Sequence, residues 1–130
     1  MAGYTLVNLK EVEDQAPKFG FAPNLEARFA STPLELQKSG VSYQRLAPNF
    51  RAPFGHRHGV QEEVYVVVGG SGRLKLDDEV VDLKPWDAVR VPPETTRCFE
   101  AGPEGVEILA FGAPPTGLQD AEMVPGWWAD

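Results

Sequence analysis

Apolar residues in this chain recur at every second position in short runs, and each run is stopped by glycine, proline or a small acidic cluster. Leu25, Ala27 and Phe29 alternate with Glu26 and Arg28, the period of a strand that buries one face. Glu63 to Val68 is the clearest strand, rich in β-branched and aromatic residues, and Gly69, Gly70 and Gly72 are expected to end it. No stretch keeps a 3.6-residue apolar period over three turns, so long amphipathic helices are excluded. With 12 prolines and 13 glycines among 130 residues, the punctuation favours many short strands.

The remaining runs extend this pattern. Tyr4 to Leu9 is expected as a short strand leading into a connection, and Leu34 to Gln37 as another inside a turn-rich stretch. Val41 to Leu46 is stopped by Pro48, and Ala88 to Val91 by Pro92 and Pro93. Arg73 to Leu76 and Val80 to Leu83 read as a hairpin around Asp77, Asp78 and Glu79. Thr96 to Glu100 and Val106 to Phe111 read as a second, turning at Gly102-Pro103-Glu104-Gly105. About eight short strands so punctuated imply a sandwich or closed barrel, whose interior can hold one small ligand.

The charge balance narrows the partners. Twelve basic and 19 acidic residues leave a net charge of −7 without a basic cluster, which disfavours nucleic acid and anionic membrane surfaces. The longest apolar run, Val64 to Val68, falls far short of the roughly 20 residues that span a bilayer. The single cysteine, Cys98, has no internal disulfide partner, and a cytoplasmic location is expected. The N-terminus has neither a signal-peptide nor a transit-peptide pattern.

Chemistry concentrates in FGHRHGVQEEVYVVVGGSGRLKL. His56 and His58 are two apart, so on an extended segment both imidazoles leave from one face. Glu63 opens the next strand, with Tyr65 and Val67 on its side. Two neutral imidazoles and one carboxylate form a donor set that Fe(II), Mn(II), Ni(II) or Zn(II) accepts. An isolated His-x-His pair is ordinarily a surface feature, and the spacing to Glu63 is what raises it above that.

These residues resemble the first motif of the cupin family: Gly, five residues, His-x-His, three or four residues, Glu, six residues, Gly. The match runs through His56, His58, Glu63 and Gly70; Glu62 with Gly69 fits the looser form, and Glu63 is preferred because Tyr65 and Gly70 then fall where cupins usually carry an aromatic residue and the turn glycine. The opening Gly falls near Asn49 and Phe50 instead. The second motif is degraded over Asp87 to Glu100: Trp86 and Glu94 stand in its two glycine places, Pro92 matches, and Arg97 replaces the family's last histidine ligand. A guanidinium stays protonated and does not ligate metals.

The resemblance covers about residues 40 to 112 and implies an all-β fold, a double-stranded β-helix or jelly-roll barrel of two antiparallel sheets. Residues 1–130 are expected as a single domain, with the barrel core at about 25–112 and a C-terminal tail at 113–130, paired as a homodimer. A divalent transition metal is expected on His56, His58 and Glu63, with ligand contacts from Arg97, Tyr65, Phe99 and Gln44. Either Tyr43 or Gln44 faces inward. Three readings stay open: a metal-dependent oxygenase, isomerase or hydrolase acting on a small organic acid, beside whose metal Arg97 pairs an anionic group; a metal-free sensor or carrier in which Arg97 pairs with Glu63; and a scaffold for association. Of the rest, Val67, Val89 and Val91 are expected as lining or core, Cys98 as a filler on the opposite face, Trp127 and Trp128 over the barrel mouth, at a subunit interface or on the outer sheet, and Trp86 as core or interface.

Overall fold

Two long strands organise the chain. In the computed structural model, which describes residues 3–116 and 118–129, β4 (Glu62–Leu76) and β7 (Arg97–Ala113) run antiparallel along their whole lengths. Around them stand β1 (Leu25–Phe29), β2 (Gly40–Leu46), β3 (Phe54–His58), β5 (Glu79–Leu83), β6 (Ala88–Val91) and β8 (Ala121–Pro125). The first half of β4 and the second half of β7 sit in one sheet with β6 on one side and β2 and β1 on the other. Their other halves form a second sheet, flanked by β5 and by β3 and β8. The result is the jelly roll of antiparallel sheets, in which β4 and β7 pass from one sheet to the other and join them into one hydrogen-bonded network.

That passage corrects two sequence expectations. Gly69, Gly70 and Gly72 do not end a strand; β4 continues through them to Leu76, with register shifts between Val67 and Gly69 and between Gly70 and Gly72. Gly70 has φ +68, and a Cβ there would run into the Gly105 carbonyl, so only glycine lets the two backbones come this close. Gly102-Pro103-Glu104-Gly105 is not the turn of a hairpin either. It is an excursion within β7, between Ala101 opposite Gly72 and Val106 opposite Gly70, at the corner where the pair changes sheet.

The hairpin at Asp77 forms as expected, between the end of β4 and β5, with Asp77 itself at φ +50. Tyr4 to Leu9 and Leu34 to Gln37 are not strands. Residues 3–8 carry no strand pairing and lead into a 3₁₀ turn, Leu9–Glu11, whose start is capped by the Asn8 side chain accepting from Lys10 N at 2.9 Å, while Leu34 and Glu35 lie in turns. Neither run has a neighbouring strand to pair its backbone, and short apolar runs without one do not stay extended. The stretch expected as a tail instead supplies β8, which pairs with β3 from Phe54↔Pro125 to His58↔Ala121.

Inward alternation builds the core from Leu25, Leu46, Tyr65, Val67, Leu74, Val91, Phe99, Ala101, Val106, Ile108 and Ala110, all buried, with Val89 partly buried against them. Tyr65 and Phe99 meet edge to face at 5.0 Å. The barrel is therefore packed over most of its length. Trp86 is not core: it stands 76% exposed at φ +74, after Pro85, where a type II turn prefers glycine. Cys98 alternates to the outer face, buried, its Sγ 3.5 Å from the Ala52 carbonyl oxygen. Trp127 and Trp128 lie on that outer face, with Lys75 over the Trp127 ring and Arg51 and Arg73 over Trp128.

Candidate metal centre

The candidate site lies between the two sheets at one end of the barrel, where β3 ends and β4 and β7 begin. Along β3, His56 and His58 leave from the inner face while Arg57 turns outward to Glu122 at 2.8 Å. His56 stands directly opposite Arg97 on β7. Glu63 enters from the other sheet, opposite Val91 of β6 and Gly112 of β7. Glu62, one residue earlier, faces outward to Arg90 at 2.7 Å, so alternation along β4 makes Glu63 the carboxylate of the cluster.

Four groups converge on a single oxygen. Glu63 Oε1 lies 3.3 Å from His56 Nε2 and 3.3 Å from His58 Nε2, accepts from Tyr65 Oη at 2.6 Å, and accepts from Arg97 Nη2 at 2.8 Å. The Arg97 guanidinium is 1% exposed and also donates to Tyr65 Oη, Pro93 O and Thr95 O. It is thus placed as the ion-pair partner of Glu63, tied to the protein along its length. Tyr65 relays between them, accepting from Arg97 and donating to Glu63.

Protonation follows from this packing. Burial alone would raise the Glu63 pKa, but the contacts from His56, His58 and Tyr65 outweigh it and hold the carboxyl well below the usual range. Burial lowers the His56 pKa, the hydrogen bond with Glu63 opposes that, and the Arg97 charge pushes it down further. A neutral imidazole beside an ionised carboxylate is the state that a cation needs of its ligands.

Two of the three donor separations fit a single ion as well. Bonds of about 2.1 Å to one ion put neighbouring ligand atoms about 3.0 Å apart in an octahedron and about 3.4 Å apart in a tetrahedron. Both imidazole-to-carboxylate separations are 3.3 Å, and the three donor atoms lie within 4.8 Å of one another. Access is one-sided: the His56 side chain is 27% exposed, against 8% for His58 and 13% for Glu63.

The other expected contacts lie deeper. Phe99 packs on Tyr65 in the core. Gln44 faces inward and Tyr43 outward, which resolves the open choice on β2; Gln44 aligns with Ile108 and Val67, two inward rows below Glu63, and its amide donates to Ser42 Oγ at 3.2 Å. Tyr43 donates to Glu107 at 2.6 Å on the outer face. Two open hollows among the described residues lie elsewhere: about 740 Å³ beside Leu6, Val12 and Pro33, and about 140 Å³ beside Leu46, Gly70 and Glu104.

One residue at the site escaped the sequence reading. Asp120, in the 3₁₀ turn Leu118–Asp120, places Oδ2 3.3 Å from His58 Nδ1. It lies 62 positions after His58 in a segment without periodicity, and only the pairing of β8 with β3 brings it back.

Comparison with known proteins agrees with this architecture. The family model described as "Cupin domain" matches residues 42–112, and the chain belongs to the cupin family. An uncharacterized protein of Methanocaldococcus jannaschii is 33% identical over 70 residues, 53% of this chain and 56% of that protein, so the chain spans little more than half of that relative. Among solved structures, a cupin protein from Bacteroides fragilis matches with TM-score 0.72 and 22% identity, covering 91% of this chain and 90% of its own. An oxalate decarboxylase variant from Bacillus subtilis matches with TM-score 0.78 and 16% identity over 95% of this chain and 34% of its own. Streptomyces PAC13, solved with uridine, matches with TM-score 0.71 and 19% identity over 95% and 91%. At these identities the likenesses establish a shared fold. Among the described residues, no helix is long and apolar enough to cross a membrane.

Proposed function

We propose that this cupin holds one divalent first-row transition metal on His56 Nε2, His58 Nε2 and Glu63, and binds or converts a small organic molecule there. Iron, manganese, nickel and zinc all accept this donor set. The observation that carries the reading is the pair of 3.3 Å separations from the His56 and His58 imidazoles to the ionised Glu63 carboxylate. When bound, the metal supplies Lewis acidity and lowers the pKa of coordinated water. The chain's own residues hold the ligand set: Tyr65 and Arg97 fix the Glu63 carboxylate, and the packed core beneath limits a substrate to the mouth, entered past His56. An oxygenase and an isomerase acting on a small, anionic molecule both fit, because a bound dication favours a negative group.

A second reading rests on the Arg97–Glu63 pair at 2.8 Å. There Arg97 supplies the positive charge that a metal would, and the barrel is a metal-free binding or sensing module. Elemental analysis of protein purified after metal supplementation separates the two. About one equivalent of a transition metal, lost in both His56→Ala and His58→Ala, supports the first; none in the wild type overturns it.

The reading places the protein in the cytoplasm as a homodimer, with a small-molecule ligand and no nucleic-acid or membrane partner. Support comes from the net charge of −7, the single cysteine, and the exposed Trp86 and Phe111 beside the outer face of the β6–β4–β7 sheet. Light scattering coupled to size exclusion tests the dimer, and a monomeric mass refutes it.

A further inference from the structure

We propose that Asp120 is a positioning residue that holds an N–H of His58 at Nδ1, so that Nε2 is the atom presented to the site. This rests on the metal-binding reading for its purpose, and on geometry for its content.

His58 stands between two carboxylates. Its Nε2 lies 3.3 Å from Glu63 Oε1 and its Nδ1 3.3 Å from Asp120 Oδ2. The Nδ1 atom is fully buried and has no aligned hydrogen bond, which makes it the one orphaned side-chain polar atom among the described residues. A buried polar atom left unpaired is unfavourable, and the group facing this one is Asp120. A lone pair on Nδ1 would point at an anion, whereas an N–H there meets an acceptor. On the opposite side, Glu63 Oε1 already has the Arg97 cation at 2.8 Å, whereas the hydrogen bonds that reach Asp120 come from uncharged N–H and O–H groups, so the carboxylate charge facing Nδ1 is the less compensated of the two. The proton therefore belongs on the Asp120 side. A carboxylate behind a ligating imidazole fixes both its tautomer and its ring orientation.

Asp120 is itself held rigidly. Its Oδ1 accepts from Gly59 N at 3.0 Å and Val60 N at 2.9 Å, and its Oδ2 from Gln61 N at 3.0 Å and Thr116 Oγ1 at 2.9 Å. These bonds lower the Asp120 pKa, that from Gln61 N most, and clamp the turn joining His58 to β4. The C-terminal segment thus contributes to the site twice, through β8 against β3 and through this carboxylate.

Nitrogen-15 NMR of metal-free protein at mildly alkaline pH reads the tautomer directly. The wild type is expected to show His58 protonated at Nδ1, and Asp120→Asn and Asp120→Ala to move a large share of the proton to Nε2. In titrations with zinc or manganese the variants should bind about 10–100-fold more weakly than the wild type. Wild-type His58 protonated at Nε2, or a tautomer ratio unchanged in both variants, overturns the proposal; a variant that only melts earlier, with tautomer and affinity intact, shows a turn clamp and overturns it too. A wild type that binds no metal while the tautomer still shifts defeats the metal reading and leaves the Asp120 assignment standing.

Discussion

Replacing Arg97 by methionine tests how the candidate site is held together. The guanidinium is 1% exposed, and the Glu63 side chain that it pairs with at 2.8 Å is 13% exposed, so solvent screens the pair little. Methionine roughly fills the stem and removes every donor. Thr95 O then loses its 2.7 Å partner, Tyr65 Oη loses a donor, and Glu63 keeps a negative charge with only Tyr65 and the imidazoles around it. Pro93 O is spared, since it still accepts from His58 N at 2.7 Å. Breaking a buried ion pair from one side costs about 3–5 kcal/mol, a large part of the roughly 5–15 kcal/mol that a domain has. For a chain of this size that lowers Tm by about 10–20 °C. Urea unfolding in the presence of a chelator measures it, with Glu63→Gln and the double variant completing a thermodynamic cycle. The pair predicts strong non-additivity, the double variant costing less than the two singles together. A loss under about 1 kcal/mol for Arg97→Met, or a cycle additive to within about 0.5 kcal/mol, refutes the account.

Burial pushes the Cys98 thiol up to about 11, against an unperturbed value of 9.0. A raised folded pKa means that its stabilising contribution is complete below pH 9 and is lost as the pH climbs to about 11, by about 2–3 kcal/mol; wild-type stability should fall more steeply over that window than that of Cys98→Ala, and equal slopes refute it. Gly70→Ala should cost about 2–4 kcal/mol, from its φ of +68 and the collision with Gly105 O, as measured by thermal melting; a neutral result would mean the two long strands do not cross so closely.

Period-two alternation was enough to locate β1, β2, β6 and the hairpin at Asp77, because a strand with one buried face writes its burial into every second residue. The spacing of His56, His58 and Glu63 carried the site for the same reason, with alternation alone selecting Glu63 over Glu62 once the strand was in place. Glycines misled: at 69, 70 and 72 they look like an end, and only the approach of β7 shows them to be a crossing. The two short N-terminal runs misled in the opposite way, since apolar content without a pairing partner does not make a strand.

What the chain alone determined is therefore local and periodic: which residues alternate inward and which donors share a face. What only the tertiary structure decided is everything that needs two distant segments at once. Arg97 meets Glu63 across 34 positions and Asp120 meets His58 across 62, because β4 and β7 change sheet together and β8 returns to β3. Side-chain chemistry can be read one residue at a time, but a pairing depends on where the backbone goes between its partners.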